Sequence, residues 1–164
     1  MSRLQALKSK IETIESLQQK LSVWKLQSKK IAFTNGCFDI IHKGHVHYLA
    51  EAADMADVLI IGVNSDRSVQ FLKGPTRPIN DESCRCEVLA GLGFVDAVIV
   101  FDENTPYNLI KAIQPDVLIK GGDWKAEDIV GSDIVKAKGG KVDCISFIPG
   151  YSTSLIEKKI KEAR

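Results

Sequence analysis

Short apolar segments rich in valine and isoleucine alternate along the chain with segments of helical periodicity. The predicted strands are 31–34, 58–63, 97–101, 117–120 and 141–147. Within these segments polar residues do not alternate with apolar ones, as they would in a sheet that has one solvent-exposed face. Both faces of the sheet must then be covered, which predicts parallel strands with helices on either side.

The predicted helices lie between these strands and after the last of them. They are 45–55, 81–92, 105–113, 131–138 and 152–163. Thr105 is expected to cap the third of these helices, with Pro106 in its first turn. The order of elements predicts an α/β fold, a single Rossmann-like, doubly wound parallel sheet of about five strands. No Gly-x-Gly-x-x-Gly follows the first strand, which counts against a dinucleotide-dependent dehydrogenase.

The segment before the first strand, residues 1–28, is predicted to form an extra amphipathic helix ahead of a domain that spans 29–164. Its apolar residues recur at intervals of three and four: Leu4, Leu7, Ile11, Ile14, Leu17, Leu21 and Trp24. Because the heptads are irregular, packing of this stripe against the chain's own domain is favoured over a homodimer contact, which is the alternative.

Composition limits the partners of the chain. Its 164 residues, 45% of them hydrophobic, suit one domain with a substantial core, and a formal net charge of +1 predicts neither a nucleic-acid nor a membrane surface. The start lacks an apolar signal core, and no apolar run reaches membrane-spanning length, so we expect a cytoplasmic protein. The four cysteines lack disulfide spacing, and Cys84 and Cys86 point to different sides of a predicted helix, so no protein metal site is expected.

The junction between the first strand and the following helix contains two histidines and two glycines. Gly36 and Gly44 allow the main chain to approach a ligand closely, and helix N-termini bind phosphates through unpaired N–H groups. His42 and His45 are three residues apart, so both imidazoles can reach one phosphoryl group if the helix begins near His42. Segments 64–66, 101–104 and 120–124 also follow strand ends, which predicts one shared rim.

Several motifs together resemble the His-x-Gly-His nucleotidyltransferase superfamily, and within it the D-glycero-β-D-manno-heptose 1-phosphate adenylyltransferases. The matching segments, which cover about residues 30 to 160, are Phe-Thr-Asn-Gly-Cys-Phe-Asp at 33–39, Gly-Val-Asn-Ser-Asp at 62–66, Lys-Gly-Pro at 73–75, Arg-Pro-Ile-Asn at 77–80, Lys-Gly-Gly-Asp-Trp at 120–124 and Gly-Tyr-Ser-Thr-Ser at 150–154. The resemblance implies that residues 29–164 join ATP and heptose 1-phosphate into ADP-heptose and pyrophosphate, for lipopolysaccharide or related glycan precursors. Mg²⁺ carried with ATP is the expected cofactor.

The resemblance also implies catalytic roles. Matching histidines of the family donate to the α- and β-phosphate oxygens, which assigns that role to His42 and His45, and Lys73 is expected to contact the phosphates at the reacting centre. Lys73 and Arg77 lie in a stretch rich in glycine and proline, which suits a mobile lid. Asp39 is interpreted as a structural residue, with a metal-triphosphate contact as the alternative.

The remaining site residues are assigned to the two substrates. Nucleotide binding is predicted for Thr34, Asn35, Gly36, Cys37, Phe38, Lys120, Gly121, Gly122, Asp123, Tyr151, Ser152 and Thr153. Within this set Asp123 would accept from ribose hydroxyls, and the hydroxyls and N–H groups at 151–153 would hold the β- and γ-phosphates. Substrate binding is predicted for Asn64, Asp66, Arg77 and Arg85. A guanidinium suits bidentate phosphate contact, so Arg77 or Arg85 could hold the sugar phosphate. For Trp124, contact with the nucleotide base and packing in the core are both open alternatives.

Two other functions compete with this interpretation. A cytidylyltransferase acting on an alcohol phosphate such as glycerol 3-phosphate would share the histidine motif, but those enzymes usually show Arg-Thr-Glu-Gly before the final Ser-Thr pair, where this chain has Phe147 to Tyr151. A non-catalytic nucleotide sensor would be favoured by loss of His42, His45 or Lys73, and all three are present. Some heptose enzymes carry a sugar-kinase domain ahead of this module. Nothing here resembles it, so another chain is expected to phosphorylate the sugar.

Overall fold

The computed structural model describes residues 1–163 and contains one six-stranded sheet in which every strand pair is parallel. The strands are β1 (Ile11–Glu12), β2 (Ile31–Gly36), β3 (Val58–Asn64), β4 (Ala97–Phe101), β5 (Val117–Gly121) and β6 (Lys141–Ile145), in the spatial order β1-β4-β3-β2-β5-β6. The chain leaves β4 and returns beside β2 as β5, so the order reverses between β2 and β5, where open α/β sheets bind ligands.

Helices cover both faces of the sheet. They are α1 (Arg3–Lys8), α2 (Ile14–Leu26), α3 (Lys43–Ala53), α4 (Asp66–Lys73), α5 (Glu82–Ala90), α6 (Tyr107–Ile113), α7 (Ser132–Ala137) and α8 (Thr153–Glu162). One core cluster includes Leu49 of α3 and Leu89 of α5, and the other includes Leu17 of α2 and Ile110 of α6. The doubly wound α/β prediction is therefore confirmed. All the predicted strands and helices of residues 29–163 are present, with ends that differ by at most two residues.

The N-terminal segment differs from the prediction of one helix. Strand β1 separates α1 from α2 and pairs with β4 in the register Ile11 to Val98, which adds the sixth strand. Thr13 starts α2 because its side chain accepts from the Ser16 N–H, while the Ser16 side chain accepts in return from the Thr13 N–H. Leu17 and Leu21 are buried in the core, so the stripe does pack on its own domain. The boundary at residue 28 and the homodimer stay predictions.

Two further local predictions are wrong. Lys73 is the last residue of α4 rather than part of a loop, and the helix ends at Gly74, whose φ of 95° is unfavourable for other residues. Ser65 begins α4 by accepting from the Ser68 N–H. At α6 the N-cap position is occupied by Pro106 and not by Thr105, and no side chain caps this helix. Over residues 1–163, no helix combines the length and apolarity that a membrane span needs.

Candidate active site

Three cavities line up along the carboxyl ends of the strands and the starts of α3 and α8. The central cavity, about 180 Å³, includes His45, Lys73 and Thr153 in its walls. The helix-start cavity, about 270 Å³, lies between the two helix starts and includes His42 and Ser152. The lateral cavity, about 280 Å³, shares four lining residues with the central one: Asn35, Gly36, Cys37 and Lys120.

The two histidines form one stacked pair at the start of α3. His42 occupies the N-cap position and His45 the first turn, and their ring centroids lie 3.9 Å apart at an interplanar angle of 29°. The edge of Phe38 supports His45 at a centroid distance of 5.5 Å. Both Nδ1 atoms are buried and lack a hydrogen-bond partner among residues 1–163. Buried polar atoms without partners are uncommon in proteins, so a ligand is the natural partner for this pair.

Burial also sets the protonation state of the pair. It lowers the pKa of His45 to about 4, with further lowering from the charges of His42 and Lys73, and it lowers the pKa of His42 in the same direction. In the free protein His45 is therefore neutral at pH 7 and carries a single N–H donor. A bound polyphosphate would act in the opposite direction, because a nearby anion favours the charged imidazolium.

We therefore expect ATP binding at about pH 6 to take up more protons in the wild type than in His45→Ala, since the anion raises a pKa that burial has depressed. Isothermal titration calorimetry in buffers of different ionisation enthalpy measures this number directly. ATP itself also changes protonation on binding, and subtracting the proton uptake of the variant from that of the wild type removes this contribution. Equal proton uptake by both proteins would contradict the assignment of His45 to the phosphates.

Gly44 is needed because the His42 ring lies directly over it. A Cβ at Gly44 would lie 3.0 Å from His42 Cε1 and 3.4 Å from Tyr151 Cβ. We expect Gly44→Ala to displace the imidazole and to lower kcat about tenfold or more. Alanine favours the helix by up to about 1 kcal/mol, so the melting temperature should not fall. Steady-state kinetics together with thermal unfolding test this, and an unchanged kcat would show that His42 need not hold this position.

The end of β2 and the first residue after it, residues 35–37, form part of the wall that the central and lateral cavities share. Lys120 Nζ donates to both the carbonyl oxygen and Oδ1 of Asn35, at 3.4 Å each, and burial lowers the pKa of Lys120. Thr34 is fully buried, and its hydroxyl is hydrogen-bonded to that of Tyr48. Thr34 thus lies behind the loop and does not line any of the three cavities.

The start of α8 faces the histidine pair, as the sequence interpretation required. Ser152 caps α8 by accepting from the Leu155 N–H at 3.1 Å, and with Tyr151 it shares the helix-start cavity with His42. Thr153 shares the central cavity with His45. The two glycines at the end of β5 have different surroundings. Gly121, the last residue of the strand, lines the central cavity, whereas Gly122 and Asp123 line none of the three. Asp123 Oδ1 instead accepts from Ser146 Oγ at 3.2 Å.

Of the four predicted substrate residues, Asn64 lines the lateral cavity, whereas Asp66, Arg77 and Arg85 line none of the three. The fully buried Arg85 donates from Nε to Asn80 O at 3.0 Å, from one terminal nitrogen to Cys37 O at 2.6 Å and from the other to Asp66 Oδ1 at 2.8 Å. All three of its nitrogens are thus bonded within the protein.

Arg77 is also engaged by carboxylates, with Nε 2.7 Å from Asp39 and a second ion pair to Glu157 of α8. Asp39 accepts in addition from the N–H groups of Ile79 and Asn80, each at 2.9 Å. Burial alone would raise the pKa of Asp39, but these N–H groups and Arg77 together lower it. The contacts of Asp39 therefore agree with the structural role that the sequence favoured, because they fasten the loop after α4 to the loop after β2.

Sequence reasoning missed part of the lateral cavity. Its further wall consists of Asn104 to Pro106 after β4 and of Trp124 with Asp128 to Val130 before α7. The sequence places Asn104 at a strand end and gives Trp124 as a candidate beside the base, but nothing in it marks Asp128, which lies in an irregular loop. Across residues 1–163, no three His, Cys, Asp or Glu side chains converge in the way that a protein metal site requires.

Comparison with known proteins bears on this arrangement. The cytidylyltransferase-like family model matches residues 33–158. The chain is 54% identical over 155 residues to "Bifunctional protein HldE" of Campylobacter concisus and 51% identical over 148 residues to that of Nitrobacter hamburgensis. These matches cover 94% and 90% of the chain but 32% and 30% of the relatives, so the chain spans about a third of their length.

Solved structures show the same fold. A lipopolysaccharide core biosynthesis protein from Thermoplasma volcanium superposes with a TM-score of 0.59 at 30% identity, covering 73% of this chain and 97% of that one. Pantoate-beta-alanine ligase from Francisella tularensis gives a TM-score of 0.62 at 15% identity, covering 92% of this chain and 76% of that one. Because the identity to the ligase is only 15%, that similarity shows a shared fold and nothing more.

Proposed function

The chain belongs to the cytidylyltransferase-like family, and from that premise we propose that it transfers the adenylyl group of ATP to heptose 1-phosphate, giving ADP-heptose and pyrophosphate. The observation that carries this proposal is the stacked pair of His42 and His45, which faces the start of α8. Each of the two imidazoles has a buried Nδ1 atom without a protein partner. The sequence match to proteins named HldE and the likeness to a lipopolysaccharide core biosynthesis protein support the sugar and the glycan pathway.

The reaction needs positioning and charge stabilisation more than a nucleophile on the enzyme. An oxygen of the sugar phosphate, already an anion at neutral pH, forms a bond to the α-phosphorus, while the bond from that phosphorus to the bridging oxygen of pyrophosphate breaks. No proton has to be removed from the attacking group, which agrees with histidines that act as donors and not as bases. Charge that builds on the phosphate oxygens is stabilised by N–H groups fixed before the reaction begins.

Different parts of the ATP molecule are assigned to different cavities. His45, Lys73 and Thr153 surround the α-phosphate in the central cavity, and His42 with the capped start of α8 holds the β- and γ-phosphates in the helix-start cavity. The nucleoside is placed at the end of β5, where Gly121 lines the central cavity and leaves room for the Phe147 ring, 2.6 Å from the position of a Cβ. Arg77 and Arg85 act as positioning residues, because their contacts hold the loops that frame the site.

Mg²⁺ is proposed to arrive on the triphosphate and not in a protein cage, since the one carboxylate that lines the central cavity, Asp39, is already bonded to Ile79 and Asn80. When bound, the ion neutralises charge on the phosphates. Thr153 and the histidines supply neutral or cationic donors that suit a metal-triphosphate. The cytoplasmic location stays a prediction.

Pyrophosphate release tests the proposal. We expect turnover with ATP and heptose 1-phosphate, and little with CTP and glycerol 3-phosphate. Preference for the second pair would show the alcohol-phosphate cytidylyltransferase instead. Tight ATP binding without turnover of any acceptor would show a nucleotide sensor. Mass spectrometry of the nucleotide product identifies the sugar that was transferred.

A further inference from the structure

The lateral cavity contains none of the residues to which the proposed function assigns the phosphates, His42, His45, Lys73 and Thr153. It shares four lining residues with the central cavity and none with the helix-start cavity. The central cavity adjoins the helix-start cavity through the stacked rings of His45 and His42, so the three cavities follow one another in the order helix-start, central, lateral. In-line displacement requires the attacking oxygen to enter on the side opposite the leaving pyrophosphate. With pyrophosphate leaving toward His42 and Ser152, the acceptor has to enter from the lateral side.

The walls of the lateral cavity carry polar side chains without protein partners. Asn104, Thr105 and Asp128 are exposed, and their side chains make no hydrogen bond or ion pair within residues 1–163, nor does the indole N–H of Trp124. Trp124 is 53% exposed, although a residue of this size is usually well buried. An exposed aromatic face beside an amide, a hydroxyl and a carboxylate suits a ring that carries many hydroxyl groups, since each hydroxyl can both donate and accept.

The charged side chains of Lys120 and Asp128 would orient the acceptor in this cavity. The ammonium of Lys120 stands at the junction with the central cavity, where a phosphate must lie to react. The carboxylate of Asp128 lines the lateral cavity but not the central one, and it would repel a phosphate but accept from neighbouring hydroxyls. A sugar phosphate fits this separation of charge with its phosphate at Lys120 and its hydroxyls at Asp128.

We propose that Trp124, Asn104 and Asp128 recognise the hydroxylated ring of the acceptor and so determine which sugar phosphate is used. This inference rests on the proposed function, because it assigns the acceptor of the same reaction. It gives the segment between β5 and α7 a role in specificity. It also places Trp124 against the sugar and not against the base.

Kinetics of Asp128→Asn and Trp124→Ala test the inference. Asp128→Asn keeps the shape of the side chain and removes its charge. We expect either change to raise KM for heptose 1-phosphate about tenfold or more, with KM for ATP and kcat within about twofold of wild type. Glu127→Gln is the matched control, since Glu127 is an exposed neighbour outside the lateral cavity, and it should behave as wild type. Thermal unfolding confirms that each variant is folded.

The possible outcomes are separable. An unchanged KM for heptose 1-phosphate in both variants overturns the inference while the proposed function stands. An increase in KM for ATP instead shows that the lateral cavity holds the nucleoside, which also overturns it. If the wild type itself fails to use heptose 1-phosphate, the proposed function fails and this inference fails with it.

Discussion

His45→Ala is expected to lower kcat at least ~100-fold while the protein stays folded. The imidazole of His45 makes no hydrogen bond to the rest of the described chain through Nδ1, so its removal breaks no protein contact there. In the proposed reaction, what is lost is a hydrogen-bond donor to the phosphate oxygens on which charge develops during transfer. Since that charge is greatest in the transition state, the effect should fall mainly on kcat and only weakly on the affinity for ATP.

His47→Ala provides the matched control for this experiment. His47 is exposed and belongs to the same helix, α3, two residues further on. Its replacement removes an imidazole from the same sequence neighbourhood without touching any of the three cavities. We expect its kcat to equal that of the wild type. A His45→Ala protein with near-normal turnover would refute the role assigned to His45.

The parts of the site that could be predicted from the sequence are those built from adjacent residues. A strand, a glycine loop and a helix that follow each other directly bring Gly36, His42 and His45 together through local geometry alone. The same holds for the start of α8, where Ser152 both caps the helix and reaches the helix-start cavity. In these places the neighbours of each residue in space are its neighbours in sequence.

The N-terminal prediction failed because its cause is not local. Ile11 lies four residues after Leu7 and three before Ile14, so the apolar spacing of one continuous helix runs straight through β1. The strand forms there because the edge of β4 offers unpaired N–H and C=O groups, as in the pairing of Ile11 with Val98. A spacing pattern within 28 residues contains no information about that edge.

The role of Arg85 shows the same limit for charged residues. A guanidinium near a predicted phosphate site suggests a phosphate contact, yet two of its three acceptors here are Asp66, 19 residues away, and Cys37, 48 residues away. Such partners become visible only when the fold is known. The lateral cavity is a similar case, because the fold brings Asp128 and Asn64 to the walls of one cavity although no sequence pattern connects them.

Arg85→Met is expected to lower the free energy of unfolding by about 3 kcal/mol or more. Methionine keeps much of the apolar volume, but the carbonyl oxygens of Cys37 and Asn80 lose a charged donor, and Asp66 loses its ion pair. Since Cys37 belongs to the loop that lines two cavities, kcat should fall as well. Urea denaturation measures the stability, and steady-state kinetics measure the turnover.

Arg67→Met is the control that separates burial from charge. The ion pair of Arg67 with Asp102 is exposed, with 79% and 51% of the two side chains accessible, so its loss should cost at most about 1 kcal/mol. A large cost for Arg85→Met beside a small one for Arg67→Met means that Arg85 acts by fastening the loop after β2 to α4. An Arg85→Met protein as stable as the wild type, with weakened affinity for the sugar phosphate, would instead mean that Arg85 turns toward the ligand when it binds.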